Sequence, residues 1–175
     1  MAPLLRGDHT STDAIVILKD DHKQIKKLFN DFRAAGPNAT KTKGDIVGKI
    51  IDALTVHTYI ENEGMYPAVR KAVPAVEDDI LESYEEHHVA DLLVMELVTM
   101  KPEDERFDAK TTVLIENVEH HIEEEESEWF PEVRKTLGRK ELQRLGEELL
   151  ELKKKAPHSP AQPSALKKTI DAIVR

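Results

Sequence analysis

Two segments of the chain repeat a histidine and a glutamate at the same spacing. HTYIENEGMYP covers residues 57–67, and HIEEEESEWFP covers residues 121–131. In each segment the glutamate follows the histidine by four positions, and an aromatic residue and a proline end the segment. Residues four apart on a helix lie on the same face, with Cβ atoms about 5–6 Å apart. Each segment would therefore point one imidazole and one carboxylate in the same direction.

The two pairs, His57 with Glu61 and His121 with Glu125, have donor atoms that suit iron or manganese. Carboxylates from facing helices of a bundle can each bridge two metal ions. The repeated pair therefore predicts one site, built from two helices, that holds two metals.

An acidic, solvent-exposed helix face is the simpler explanation of either pair alone. The repetition and the apolar residues three positions before each histidine, Leu54 and Val118, favour inward-facing pairs. A buried glutamate is costly unless it is paired or bound to a metal. The remaining glutamates of the second segment are expected to face solvent; they are Glu123, Glu124, Glu126 and Glu128.

Composition narrows the possible functions. The chain has 175 residues, a net charge of −9 with scattered basic residues, and no cysteine. A length of this order suits one domain, and the charge argues against a nucleic-acid partner. Without cysteine, any metal must be held by nitrogen and oxygen. No apolar run resembles a signal peptide or a membrane span, so we expect no membrane partner and a cytoplasmic protein.

Apolar spacing predicts an all-α, up-down-up-down four-helix bundle. The predicted helices run from the cap residue Asp13 to AAGPN at 34–38, from about Lys43 to Pro67 or, with a kink, to Val73, from near Val76 to Met100, and from about Asp108 to Leu137, before Gly138.

Beyond the bundle, the spacing of four leucines predicts a fifth amphipathic helix; they are Leu142, Leu145, Leu149 and Leu152. This helix would either lie across the bundle or meet a second copy of the chain in a homodimer. A proline-rich linker follows at 156–164, and then a short terminal helix. The expected organisation is an N-terminal segment (1–12), the bundle (13–138), and the C-terminal helix, linker and terminal helix (139–175).

The first and third helices are expected to supply further ligands. His22 interrupts an apolar seam, where a core histidine is the alternative. In the third helix His87 and His88 are adjacent, and neighbours differ by about 100° around a helix, so both cannot face one site. The stripe of Tyr84 and Leu92 favours His88, but spacing alone leaves the choice open.

These motifs resemble those of hemerythrin-like proteins of the HHE cation-binding family. They are LKDDHKQIKKLF at residues 18–29, the two repeated segments, and EEHHVADLL at residues 85–93. The resemblance covers residues 18–131 and implies a four-helix bundle around a non-haem di-iron centre. It implies two iron ions joined by an oxo or hydroxo bridge, with iron favoured over manganese.

Carried over by position, the resemblance implies six metal ligands: His22, His57, Glu61, His87, His121 and Glu125. The family's Glu-His pattern matches Glu86 and His87, which favours His87 over His88. His120 is expected to face away from the site.

The chain departs from the oxygen-carrying hemerythrins, which place a His-x-x-x-His pair on the third helix. Here the fourth position after His87 is Asp91. If both glutamates bridge and each iron takes two histidines, about two positions per metal stay open. Tyr84 could supply a phenolate or a hydrogen bond, with a core tyrosine as the alternative, and Asp91 could orient an imidazole.

Open positions on both metals predict a protein that binds or reacts with a small oxidant or gas: dioxygen, hydrogen peroxide or nitric oxide. Such a protein could have catalase-like or peroxidase-like activity. The alternative is a non-catalytic sensor of iron or oxygen, or an iron-binding module.

Overall fold

The computed structural model describes residues 12–160, and every regular element in that range is helical. The helices are α1 (Ala14–Ala34), α2 (Thr40–Ile60), α3 (Tyr66–Ala72), α4 (Glu77–Thr99), α5 (Phe107–Glu124) and α6 (Phe130–Lys155). A π-helical turn (Glu61–Met65) joins α2 to α3, a second one (Glu125–Trp129) joins α5 to α6, and a 3₁₀ turn (Pro74–Val76) precedes α4. The predicted terminal helix and the N-terminal segment up to residue 11 lie outside the described residues.

Four long rods form the bundle. The first is α1, the second is α2 together with α3, the third is α4, and the fourth is α5 together with the first turns of α6. The closest neighbours are α1 with α2 and α4 with α5. The predicted all-α bundle is confirmed. Helix two begins at Thr40, slightly before the expected Lys43, and its continuation through α3 follows the kinked alternative.

The N-terminus of α1 is held by the side chain expected to cap it. Asp13 Oδ1 accepts a hydrogen bond from the Val16 amide at 3.1 Å, which satisfies one of the free amide groups of the first turn. Arg134 of α6 donates to both carboxylate oxygens of Asp13, each at 2.9 Å. This residue therefore also ties α1 to the fourth rod.

The interior has two apolar cores with a polar layer between them. Along α1, Leu18 belongs to the first core and Ile25 to the second, and His22 lies between them. Along α4, Tyr84 and Ala90 flank His87 in the same way. The polar layer is thus enclosed by apolar side chains on both sides along the bundle axis.

A break at Gly138 divides α6. The glycine has φ 71° and ψ 176°, a conformation that side chains rarely adopt. Beyond it, α6 lies back across the bundle, where Leu142, Leu145 and Leu149 are buried in the first core. The leucine face of this helix therefore packs across the bundle of its own chain, which is the first of the two alternatives. A homodimer formed through this helix would have to use a different face of the helix.

Within residues 12–160, no helix is both long and apolar enough to cross a membrane.

Gly146 allows the second half of α6 to touch the start of α1. A Cβ added there would lie 1.6 Å from the Thr12 carbonyl oxygen, so backbone would have to move. We expect Gly146→Ala to lower the free energy of unfolding by about 1–3 kcal/mol, as overpacking does. Gly48→Ala is the matched control, because nothing lies within 4 Å of its added Cβ. Alanine is more favourable than glycine in a helix by about 1 kcal/mol, so this variant should not be destabilised. Urea denaturation measures both; equal effects would contradict this account.

Candidate metal centre

The six residues expected to bind metal meet in the polar layer, and all are buried. Their exposed fractions are 0% for His22, 2% for His57, 0% for Glu61, 2% for His87, 4% for His121 and 0% for Glu125. Each of the four rods supplies at least one of them. The two glutamates are the first residues of the two π-helical turns.

One group of donors, the first cluster, consists of His22, His57, Glu61 and Glu125. The Nε2 atoms of His22 and His57 are 3.1 Å apart. His57 Nε2 lies 3.2 Å from Glu61 Oε1, and His22 Nε2 lies 3.2 Å from Glu125 Oε2. Four donor atoms thus converge from three rods.

The other group, the second cluster, uses the opposite oxygens of the same glutamates. His87 Nε2 lies 3.1 Å from His121 Nε2 and 3.2 Å from Glu61 Oε2. Glu125 Oε1 lies 3.6 Å from His121 Nε2. Each carboxylate therefore places one oxygen in each cluster, and the two clusters lie side by side.

Tyr66 adds a phenol to the second cluster, which sequence reasoning did not foresee. Its hydroxyl donates to Glu125 Oε1 at 2.8 Å and lies 3.1 Å from His87 Nε2. Tyr84, the tyrosine singled out from the sequence, packs its ring edge-on against Tyr66 with 5.1 Å between centroids. Tyr84 belongs to the first apolar core, so the core alternative describes it.

The π-helical turns explain why Tyr66 faces the centre. Pro67 has no amide hydrogen, and its ring would clash with the carbonyl four residues earlier in an α-helix. The chain instead makes a wider turn, in which the Tyr66 amide donates to the Glu61 carbonyl. Residues five apart then lie one above the other, whereas in an α-helix they would be about 140° apart. Glu61 and Tyr66 consequently share a face.

The second motif makes the same turn before Pro131, where the Phe130 amide donates to the Glu125 carbonyl. Phe130 stacks against His22 with 6.0 Å between centroids, as Tyr66 stacks against His87 at 5.2 Å. The two halves of the centre are thus related by an approximate twofold repeat. They differ chemically, because one half has a phenol where the other has a phenyl ring.

The outer nitrogen of each histidine faces an acceptor on a neighbouring rod. His22 Nδ1 lies 2.7 Å from Glu126 Oε1, His57 Nδ1 3.8 Å from Asp21 Oδ2, His87 Nδ1 2.9 Å from Asn62 Oδ1, and His121 Nδ1 2.6 Å from Glu86 Oε2. These contacts run from rod to rod in a closed ring. Such partners set the orientation and tautomer of a metal-binding imidazole.

Each acceptor in this ring directly precedes or follows a residue of the two clusters in sequence. Glu126 is one that sequence reasoning placed in solvent; it is partly buried and contacts His22. Glu123 and Glu128 are exposed as expected, and Glu124 is partly buried. Adjacency to a cluster residue is the signal that could have identified Glu126.

In the third rod, the structure places His87 and not His88 in the clusters. The stripe that favoured His88 is misleading, because Leu92 is 47% exposed. His120 faces outward, with 63% of its side chain exposed. Asp91 does not belong to the ring of acceptors, and burial raises its pKa despite the opposing effect of His87.

Protons balance the charge of the two buried glutamates in the metal-free centre. Burial lowers the pKa of His57, but the nearby Glu61 and Asp21 have the larger effect and raise this pKa to about 10. Burial also lowers the pKa of His121, but the nearby Glu125 and Glu86 have the larger effect and raise this pKa to about 9. Burial raises the pKa of Glu61, but the attraction of the nearby His57 has the larger effect and lowers this pKa well below its usual value.

The donor set fits metal cations. Glu61 Oε1 and Glu125 Oε2 are buried and make no hydrogen bond, although histidine nitrogens lie nearby. Ligands that sit at right angles about 2.1 Å from one ion are about 3 Å apart, close to the separations found in both clusters. A cation would satisfy carboxylate oxygens that accept no hydrogen bond and face converging imidazoles.

Comparison with known proteins agrees with this arrangement. A family model described as "Hemerythrin HHE cation binding domain" matches residues 13–133. The chain belongs to this family. Membership makes it a cation-binding module, and the resemblance noted in the sequence is confirmed.

The chain is also similar to a protein of known structure and to a second protein by sequence. A crystal structure of a hemerythrin HHE cation-binding domain-containing protein from Mycobacterium kansasii superposes with a TM-score of 0.68 at 22% identity, covering 82% of this chain and 86% of that one. A protein named DNA nickase from Nostoc sp. (strain PCC 7120 / SAG 25.82 / UTEX 2576) is 26% identical over 139 residues. That match covers 79% of this chain and 38% of the relative.

The raised pKa values of His57 and His121 predict how the metal-free protein responds to pH. Charged imidazoles stabilise the fold fully below their ordinary pKa of 6.5, and this contribution disappears as pH rises towards about 10. We therefore expect the free energy of unfolding in chelator to fall from pH 6.5 to pH 10, as measured by urea denaturation. His57→Gln should show a shallower fall. A stability that is flat or rises over this range would contradict the assignment.

Proposed function

We propose that the chain is a non-haem di-iron protein that binds or reacts with a small oxidant or gas: dioxygen, hydrogen peroxide or nitric oxide. The observation that supports this most directly is the sharing of both glutamates between the clusters. Glu61 and Glu125 each direct one oxygen to either side. Both glutamates would then be shared by two metals, with His22 and His57 holding one and the remaining two histidines holding the other.

The burial of the centre limits what can reach it. None of the six proposed ligands is more than 4% exposed, so a substrate of two to four atoms fits far better than a polymer. A phosphodiester within a DNA strand could reach these atoms only if the bundle opened. We therefore do not propose a DNA nickase activity for this chain, which spans only 38% of the Nostoc protein that carries that name.

A bound iron pair would supply a two-electron redox unit. The chain itself supplies a hydrogen-bond donor at one defined atom. Burial, with Glu125 and Glu61 nearby, raises the pKa of Tyr66 well above its usual value, which keeps its phenol protonated. The Tyr66 hydroxyl can therefore donate a hydrogen bond to a small molecule held beside the second cluster, and Phe130 offers none on the other side.

Removal of either bridging glutamate should disturb both metals. We expect Glu61→Ala and Glu125→Ala to lower iron content from two per chain to below one, because each change takes a donor from both clusters. The controls Glu123→Ala and Glu128→Ala alter exposed residues and should retain wild-type iron. Metal analysis of freshly purified protein measures this. Wild-type iron in the first two variants, or less than about one iron in the parent protein, would refute the bridged site.

The neighbouring histidines of α4 provide a second matched pair. His87→Ala should lose iron, because its Nε2 contacts both Glu61 and His121. His88→Ala should largely retain it, because His88 belongs to neither cluster. Equal loss in both variants, measured by the same metal analysis, would overturn the assignment of His87.

Reactivity tests the functional part of the proposal. The iron-loaded protein should decompose peroxide or change its absorption spectrum with peroxide, dioxygen or nitric oxide; no response to any of them would refute the proposal. Tyr66→Phe should keep both irons and react with peroxide roughly 10²-fold more slowly, as expected when a preorganised hydrogen-bond donor is lost. Tyr84→Phe removes a hydroxyl outside the two clusters and should react like wild type.

A sensor or iron-binding module is the second candidate, and the packing of α6 favours it. A Cβ at Gly64, within the first π-helical turn, would lie 2.5 Å from Leu149 and 2.8 Å from Leu152. The segment that carries Glu61 thus touches the C-terminal part of α6, which could transmit a change at the centre. If α6 is cleaved by protease equally fast with reduced iron, oxidised iron and no iron, the sensor is excluded.

A further inference from the structure

The second half of α6 contributes a charged side chain to the surroundings of the centre. The matched family region ends at residue 133, so it does not include this part of the chain. Lys153, in the last turn of α6, is only 10% exposed at its side chain and donates to Asp21 Oδ1 at 2.5 Å. A lysine this far buried needs a partner, and Asp21 provides it.

Asp21 connects this lysine to the first cluster. Its other oxygen, Oδ2, lies 3.8 Å from His57 Nδ1, and neither of these two buried atoms makes a hydrogen bond. His57 Nε2 in turn points into the first cluster. Lys153, Asp21 and His57 therefore form a line from α6 to one pair of proposed ligands.

The contact between Asp21 and His57 is the weakest of the four that surround the histidines. The other three are hydrogen bonds of 2.6–2.9 Å. Asp21 is thus the acceptor whose position depends most on its second partner, Lys153. If Lys153 were removed, a buried carboxylate would keep only a 3.8 Å contact with an imidazole, a costly arrangement.

Within residues 12–160, no lysine forms an ion pair with the equivalent acceptor in the other half of the centre. Glu86 precedes His87 as Asp21 precedes His22, and it contacts His121. Its second oxygen lies 3.9 Å from the exposed side chain of His120, which belongs to α5 and not to α6. Among the described residues, a charged contact with the second half of α6 is therefore confined to the half that contains His22 and His57.

We propose that Lys153 is a positioning residue for the first cluster, so that docking of the second half of α6 is coupled through this lysine to metal binding in the first cluster and not to metal binding in the second. This inference rests on the proposed two-metal site. Coupling of this kind is reciprocal: whatever α6 adds to metal affinity, the metal adds to the docking of α6.

Stepwise iron loading of the full-length chain tests the proposal. Wild type, Lys153→Met and Lys153→Arg are titrated anaerobically with Fe(II), and bound iron is measured at each free concentration. We expect two equivalents in wild type. In Lys153→Met one equivalent should bind as in wild type and the other about 10–100-fold more weakly, the usual effect of losing an outer partner of a ligand. Lys153→Arg should restore much of the loss.

Lys154→Met is the matched control, because the Lys154 side chain is 68% exposed and its partner in the described part of the chain is Glu151 of its own helix. It should bind both equivalents as wild type does. Wild-type affinity for both equivalents in Lys153→Met would overturn the proposal, and so would equal weakening of both, which a general loss of stability would produce. If wild type itself bound no iron, the proposed function would fail instead.

A measurement on wild type keeps the proposal testable should Lys153→Met fail to fold. Protease cleavage within residues 139–155 is followed during the Fe(II) titration. Protection should develop with one of the two equivalents and not with the other. Protection that never develops, or that follows both equivalents equally, would overturn the proposal.

Discussion

Two carboxylates buried at the middle of the bundle constrain the rest of the structure. Glu61 and Glu125 have no exposed surface, and a charge so placed must be compensated by nearby cations or protons. His57 and His121, whose pKa values are raised, provide that compensation in the metal-free protein, and bound metal would provide it in the loaded one. The apolar cores on either side exclude water, which strengthens each of these electrostatic interactions.

The geometry of the centre follows from a local irregularity that occurs twice. In each motif a proline prevents regular α-helical bonding, and a wider turn begins at the glutamate. The extra residue in that turn brings the following aromatic residue onto the face of the glutamate. The same wider turn, used in both halves, thus places a buried carboxylate and a ring together, and the choice of Tyr66 or Phe130 then distinguishes the halves.

Much of this could be predicted from the sequence, because the proposed ligands lie on helices whose spacing is visible there. The pairing of His57 with Glu61 needed only the four-residue period. Tyr66 was missed because α-helical spacing places it about 140° from Glu61, and only the turn before Pro67 corrects this. The choice of His87 over His88 came from resemblance, since α4 exposes apolar residues such as Leu92 and its periodicity is weak. Lys153 could not have been found, because its contact with Asp21 spans 132 positions and depends on how α6 folds back.

The closed ring of contacts around the histidines also restricts how the length of the chain can change. Inserting or deleting one residue within a rod would turn everything beyond it by about 100°. A rod both carries a histidine and supplies an acceptor for the next rod, so such a change would disconnect two neighbours at once. Length variation among relatives should therefore concentrate in the connections at residues 35–39 and 100–106, and the spacing between each acceptor and its adjacent cluster residue should be preserved.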